Sequence, residues 1–128
     1  CFSGHSLGGY CVMRLAPQLA SFLKKTTNNK LKIMVWGAGD KTEFLTDLKD
    51  FDNIKVSILL AKDDTYCNME DARQCLISKL PEHSFGIIDG NHENFASYSP
   101  SISKTSRSEQ HQQIVTKTCE FVLEKEND

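Results

Sequence analysis

The chain has 128 residues, of which 39% are hydrophobic and 25% charged, and its formal net charge is −2. This composition is typical of one ordinary globular domain and excludes disorder along the whole length. The small, scattered charge argues against a nucleic-acid partner or an anionic membrane surface, and no apolar run approaches the ~20 residues of a membrane span.

The five cysteines have neither the close pairing of a zinc site nor that of a disulfide framework: Cys1, Cys11, Cys67, Cys75 and Cys119. We therefore expect them to be small, half-buried hydrophobic residues without a catalytic role. Unpaired cysteines are typical of a reducing compartment, so the sequence favours a cytoplasmic protein.

The first motif in the chain is Gly-His-Ser-Leu-Gly-Gly over residues 4–9. It fits a nucleophile elbow, in which a serine sits at strained backbone angles on a sharp turn between a strand and a helix. We expect Gly4 and Gly8 to let the strand and the helix approach each other. The N–H of Leu7, directly after Ser6, would then point to where an oxyanion forms. A glycine-rich turn without chemistry has the same pattern, so the neighbouring elements must decide.

A helical pattern begins directly after these glycines. Its apolar residues share one face: Val12, Leu15, Ala16, Leu19, Phe22 and Leu23. Residues 1–3 are left as the strand before the turn, which completes the context that the elbow motif requires. Pro17 interrupts the apolar face and removes one backbone donor, so we expect a kink or a new helical segment there.

Three short apolar runs follow at residues 31–36, 54–61 and 85–88, each of strand length. Helical patterns separate them, the first with Phe44, Leu45 and Leu48, the second with Met69, Ala72, Leu76, Ile77 and Leu80. Asn68 is the expected N-cap of the second. The last helix should bury the face of Ile114, Val115, Thr118, Cys119 and Val122. Strands that alternate with helices predict an α/β fold with parallel βαβ units.

Polar residues follow three of these strands. Ser6 follows the short strand at residues 1–3, Asp63 and Asp64 follow the run at 54–61, and His92 follows the run at 85–88. Sites in parallel sheets lie beyond the carboxyl ends of the strands, and the order serine, aspartate, histidine is expected of an α/β-hydrolase triad. A loop aspartate more often caps a turn or is solvated, and Asp40 also ends a strand, so the acid stays open among the three aspartates.

Among the four histidines, His92 is the one that the topology favours as a general base. His5 is next to the serine, but in an elbow its side chain is expected to point away from it. His83 starts a strand at the wrong end of the sheet. His111 falls on the side of the last helix that we expect to face solvent.

Residues 89–95 read Asp-Gly-Asn-His-Glu-Asn-Phe, with Tyr98 beyond them and Glu109 and Gln110 before the final helix. This region resembles the histidine region of small hydrolases related to dienelactone hydrolase, within the α/β-hydrolase superfamily. In those proteins the histidine of a Gly-Asn-His motif is the triad base. The resemblance therefore implies that His92 is the base.

The same resemblance bears on the acid and on the fold. The family's acid follows a Gly-x-x-Asp turn, and residues 61–64 keep that spacing with alanine in place of the glycine, which favours Asp64. The resemblance covers the whole chain as the C-terminal portion of a single domain. It implies a three-layer α/β/α sandwich with a mostly parallel sheet, in which the N-terminal strands and the loop with the second oxyanion N–H have no counterpart in residues 1–128.

We therefore expect a serine hydrolase that cleaves a small-molecule carboxylic ester or a related acyl substrate. Ser6 would be the nucleophile, His92 the base and Asp64 the acid, with the Leu7 N–H in the oxyanion hole. Such chemistry needs no metal or organic cofactor. Two alternatives remain open: a hydrolase-like binding or scaffold protein without catalysis, and a truncated product without activity.

Overall fold

The computed structural model describes residues 1–80, 82–97 and 102–124, so Tyr98 lies outside the described residues. Strands and helices alternate along the chain: β1 (Phe2–His5), α1 (Leu7–Thr26), β2 (Leu31–Trp36), β3 (Ile54–Ala61), α2 (Met69–Lys79), β4 (Glu82–Ile88) and α3 (Arg107–Leu123). The bounds of β2 and β3 are those predicted from their apolar runs. β4 begins three residues earlier than its run, and β1 continues two residues further, to the edge of the elbow.

The four strands form one parallel sheet in the order β1-β2-β3-β4. In the register of this sheet, Met34 of β2 lies between Ser3 of β1 and Ser57 of β3. Because the order never reverses, right-handed crossovers bring α1 and α2 to the same face of the sheet. The helix after the last strand, α3, covers the opposite face.

Two apolar clusters, one on each face of the sheet, form the core. β3 contributes to both, since Ile58 and Leu60 pack with α1 and α2 while Leu59 and Ala61 pack with α3. A strand that is buried on both faces reads as a continuous apolar run, which is why β3 was recognisable in the sequence. The described part of the chain is thus an α/β structure with a four-stranded parallel sheet and three α-helices, an arrangement compatible with the predicted sandwich.

One predicted helix is absent from the described residues. The pattern around Phe44 produces only a single 3₁₀ turn, Thr42–Phe44, because Leu45 and Leu48 are buried by tertiary contacts of the loop instead of by a helix face. The N–H of Leu48 donates to the carbonyl of Lys79, 2.8 Å away, and this bond ties the loop to α2. At Pro17 no second segment starts, since α1 runs through it as one helix.

The buried face of α1 is the predicted one in part, since Ala16 is buried and Val12, Leu19 and Leu23 pack against the core. It consists of Gly9, Tyr10, Met13, Ala16 and Ala20, whereas Leu15 and Phe22 are 56% and 64% exposed. The small side chains among them let the helix lie close to the sheet, and Leu15 and Phe22 face outward. In helix α3 the predicted Ile114 is buried, but Gln110 and Phe121 are buried with it instead of Val115 and Val122.

Helix α2 begins as predicted. The Asn68 side chain accepts a hydrogen bond from the N–H of Asp71 at 2.9 Å and so caps the first turn. Its inner face carries Ala72 and Leu76, while Ile77 is exposed. None of the helices that the structure describes is both long and apolar enough to cross a bilayer.

Candidate active site

Loops from all four strands meet at the carboxyl edge of the sheet. Ser6 follows β1 directly, Asp40 lies in the loop after β2, Asp64 follows β3 and His92 follows β4. Because the strands are parallel and in sequential order, residues that are far apart in the chain become neighbours at this edge. The predicted site residues are therefore presented from rigid strand ends.

Ser6 occupies the sharp turn between β1 and α1. Its backbone angles, φ 54° and ψ −122°, lie in a region that L-residues rarely adopt. The N–H of Ser6 donates to the Trp36 carbonyl at 2.9 Å, and the Ser6 carbonyl accepts from the Gly9 N–H at 3.0 Å. The sheet thus holds one side of the turn and the helix the other, at a cost on the order of 1–3 kcal/mol for the strained residue.

Close approach of α1 to the sheet explains two of the glycines. A Cβ on Gly4 would overlap the backbone of Gly8, and one on Gly9 would lie 2.6 Å from Cγ1 of Val35. A Cβ on Gly8, in contrast, would meet nothing within 4 Å in the part of the chain that the structure describes. The prediction that Gly8 allows the approach is wrong, because a Cβ at Gly8 would point into open space; Gly9 has this role.

Ser6, His92 and Asp64 form a row of hydrogen bonds. Oγ of Ser6 lies 3.1 Å from Nε2 of His92, and Nδ1 of His92 lies 2.8 Å from Oδ2 of Asp64. The Asp64 side chain is fully buried and that of His92 is 10% exposed. A carboxylate can only accept, so the shared proton is on Nδ1, and Nε2 is left to accept from the serine hydroxyl.

Asp64, and not Asp63, is oriented for this contact. Its second oxygen, Oδ1, accepts from the N–H groups of Tyr66 and Cys67 at 2.8 and 2.9 Å. These bonds turn the carboxylate so that Oδ2 faces the imidazole. Asp63 is exposed, and its backbone N–H donates to the Gly90 carbonyl at 2.9 Å, which joins the acid loop to the histidine loop.

Asp40, the rival acid, bonds to a different set of groups. Its carboxylate accepts from the hydroxyl of Tyr10 at 3.1 Å and from the N–H of Asn68 at 3.2 Å. Burial alone would raise the pKa of Asp40, but these hydrogen bonds, together with Cys67 and Lys41, hold the pKa below its ordinary value. Burial raises the pKa of Tyr10 to about 12, so its hydroxyl stays a donor.

The elbow geometry predicts that the side chain of His5 points away from the site, and this prediction is wrong. Its ring lies 4.7 Å from the ring of His92 and 5.4 Å from that of Phe95, measured between centroids. Tyr66, which is 64% exposed, also packs against His92 at 4.9 Å. These contacts restrict the imidazole between its two hydrogen-bond partners. Burial, followed by repulsion from His92, lowers the pKa of His5 from its ordinary value of 6.5.

The lowered pKa of His5 predicts that the folded state loses stability in acid. Below pH ~6.5 the unfolded chain binds a proton at this histidine that the folded chain does not, so the free energy of unfolding falls until the lower folded pKa is reached. His5→Phe removes this proton uptake and retains a ring against His92. Urea unfolding between pH 7 and 5 should therefore give a shallower pH dependence for His5→Phe, and equal slopes would contradict the assignment.

The remaining predicted residues have less direct roles in the geometry. Leu7 begins α1, so its N–H has no acceptor within the helix, and its side chain is 70% exposed. His111 is predicted to face solvent but is half-buried, because α3 is rotated about its axis relative to the predicted face. The Nε2 atom of His111 has no hydrogen-bond partner among the described residues. His83 lies near the start of β4, at the opposite end of the sheet from the site, as predicted.

A cleft of about 630 Å³ opens beside the row of hydrogen bonds. Neighbours of the acid and of the base line it, among them Asp63, Thr65, Asn91 and Glu93. Ser6 is not one of its lining residues, so the cleft borders the site without including the serine. Within the described ranges, no cluster of three His, Cys, Asp or Glu side chains has an arrangement that could hold a metal ion.

Comparison of the sequence with models of known protein families and with curated proteins finds no match. Any assignment of function therefore depends on the residues of the site and on their geometry.

Proposed function

We propose that this chain is a serine hydrolase of the α/β-hydrolase type, which cleaves small-molecule carboxylic esters or related acyl compounds. The observation that supports this most is the row Ser6 Oγ, His92 Nε2, His92 Nδ1, Asp64 Oδ2, with separations of 3.1 and 2.8 Å. These are hydrogen-bond distances between a hydroxyl, an imidazole and a buried carboxylate, the combination that activates a serine nucleophile. The strained turn at Ser6 and the order of the three residues in the chain add support.

In the proposed mechanism Oγ of Ser6 attacks the acyl carbonyl carbon while its proton passes to Nε2 of His92. The tetrahedral intermediate collapses as His92 returns that proton to the leaving alcohol, and an acyl group remains on Ser6. Water then attacks the acyl-enzyme by the same route in reverse, which releases the acid and restores the hydroxyl. Asp64 holds the imidazole in the required tautomer and stabilises its charged form.

The developing negative charge on the carbonyl oxygen needs donors that are already in place. The N–H of Leu7 is the first of α1 and is directed along the helix axis, so both the free donor and the positive end of the helix dipole favour an anion there. Preorganised donors of this kind typically contribute on the order of 10²–10³ in rate each. We therefore assign Leu7 to the oxyanion hole through its backbone, with no requirement on its side chain.

The proposal places the protein in the cytoplasm, as the spacing of its cysteines suggests, and it requires no metal or organic cofactor. The same three residues can cleave thioesters and amides. The proposal therefore specifies acyl transfer to water and leaves the leaving group open. The aromatic ring of Tyr66, exposed beside His92, is a surface that the substrate would meet on its way to Ser6.

Hydrolysis of an activated nitrophenyl ester by the intact protein tests this proposal. We expect turnover to rise with pH, because only neutral imidazole can accept the proton of Ser6. The residual activity of His92→Gln should lack that rise, and His111→Gln serves as the matched control that retains it. An unchanged acid limb in His92→Gln would mean that another group controls the rate. Wild-type protein without any ester hydrolysis would favour the inactive binding protein.

A further inference from the structure

Two glutamines of α3 bind the backbone of the loop that leads into His92. Gln110 accepts from the N–H of Asn91 at 2.9 Å through Oε1 and donates to the carbonyl of Asn91 at 2.7 Å through Nε2. One turn further along the helix, Gln113 makes the same pair of contacts with Asp89, at 3.0 and 3.5 Å. Each side-chain amide thus pairs with both polar groups of one residue, as a neighbouring β-strand would.

The two glutamines differ in their environment. Gln110 is 0% exposed, so water cannot replace its contacts with Asn91. The contacts of Gln113 lie at the exposed surface, where water can substitute for them at little cost. A fully buried glutamine is uncommon and stays buried only where its hydrogen bonds are made. Gln110 is therefore the member of the pair whose contacts hold the loop.

The loop itself is shaped around Gln110. Gly90 has φ +122°, and a Cβ at this position would overlap the amide of Gln110. The next residue, Asn91, directs its side chain to the N–H of Asn94 at 3.0 Å and so supports the short 3₁₀ turn that follows His92. Gln110 thus fixes the residue directly before His92 through its backbone, and Asn91 fixes the turn directly after it.

We propose that Gln110 is a positioning residue that holds His92 between Ser6 and Asp64. The imidazole has to satisfy a 2.8 Å contact on one side and a 3.1 Å contact on the other, so a small shift of the loop would break one of them. A misplacement of about 1 Å in such a site typically costs about 10²-fold in rate. The catalytic part of this inference rests on the proposed function; the geometric part, that Gln110 sets the place of His92, does not.

Gln110→Glu tests the proposal with a side chain of nearly the same shape. A neutral carboxylic acid can accept from the Asn91 N–H and donate to the Asn91 carbonyl, whereas a carboxylate can only accept and repels the carbonyl. Burial favours the neutral acid, while Arg107, one turn earlier on α3, favours the charged form. We expect kcat of Gln110→Glu to be near that of wild type in mild acid and to fall about 10²-fold as the new side chain ionises, with KM nearly unchanged.

Gln113→Glu is the matched control, since it places the same charge on the same helix face, one turn away. Its kcat should stay within about threefold of wild type at every pH, because its contacts are exposed. If NMR shows that the new side chain ionises within the pH range measured, equal pH profiles for Gln110→Glu and wild type would contradict the proposal. So would an equal loss in both glutamate variants, because the effect would then be a general one of charge on α3.

Two measurements that need no hydrolysis separate this inference from the proposed function. The downfield NMR signal of the His92 Nδ1–H, assigned by its loss in Asp64→Asn, should weaken in ionised Gln110→Glu and persist in Gln113→Glu. In wild type, the Asn91 amide hydrogen should exchange far more slowly than that of Asp89, and comparable fast exchange at both would contradict the proposal even if the variants fail to fold. A wild type without hydrolysis but with these NMR results would refute the proposed function alone.

Discussion

Ser6→Ala should lower the turnover of an activated ester by about 10⁶-fold, the largest effect that we expect of any single change in this chain. His92 and Asp64 act only through the serine hydroxyl, so without that hydroxyl the pair has no nucleophile to activate. The residual rate would come from binding and from the oxyanion donors alone. Steady-state hydrolysis, with the fold checked by circular dichroism, measures the change.

Ser6→Gly is the control that separates lost chemistry from lost structure. Glycine adopts the φ 54°, ψ −122° of this turn with little strain, so we expect Ser6→Gly to raise the free energy of unfolding by about 1 kcal/mol while its turnover is as low as that of Ser6→Ala. A Ser6→Gly protein that hydrolyses the ester at the wild-type rate would exclude Ser6 as the nucleophile. One that is less stable than Ser6→Ala would contradict the strained turn.

Asp64→Asn should lower turnover by about 10⁴-fold with the fold intact. The asparagine oxygen can still accept hydrogen bonds from the backbone N–H groups of Tyr66 and Cys67, so the amide nitrogen is turned toward His92. An N–H donor at that position favours the tautomer that carries its proton on Nε2, and this tautomer cannot accept from the Ser6 hydroxyl. The change thus removes the base and preserves the shape of the site.

Asp40→Asn is the matched control, because Asp40 is also a buried aspartate in a loop at the same edge of the sheet. It bonds to Tyr10 and Asn68, so its replacement should reduce stability and leave kcat within about tenfold of wild type. The reverse result, a crippled Asp40→Asn and a nearly normal Asp64→Asn, would move the acid one strand earlier.

Much of the sheet could be predicted because burial leaves a strong local pattern. The runs that became β2 and β3 are apolar on both faces. The order in which polar residues follow the strands then placed Ser6, Asp64 and His92 at one edge. The structure brings these three side chains into hydrogen-bond contact, and their catalytic roles stay predictions.

The parts that could not be predicted depend on close packing between distant segments. Which face of α1 is buried follows from how near Gly9 and Ala16 let the helix come to the sheet, whereas large apolar residues dominate the sequence pattern. The loop with Leu48 looked helical because tertiary burial produced a similar spacing of apolar residues. The ring of His5 against His92 and the amide of Gln110 against Asn91 have no local signal at all, since each joins segments far apart in the chain.

Covalent labelling of the intact protein with a fluorophosphonate tests the central claim most directly, because the reagent captures an activated serine whatever the natural substrate is. Peptide mapping by mass spectrometry should find a single phosphonylated serine, Ser6, with labelling lost in Ser6→Ala and strongly slowed in His92→Gln. Ser57 and Ser84, whose hydroxyl groups hydrogen-bond to each other at 3.0 Å, are internal controls that should stay unlabelled. Labelling that is equal in wild type and Ser6→Ala, or that maps to another residue, would contradict the account.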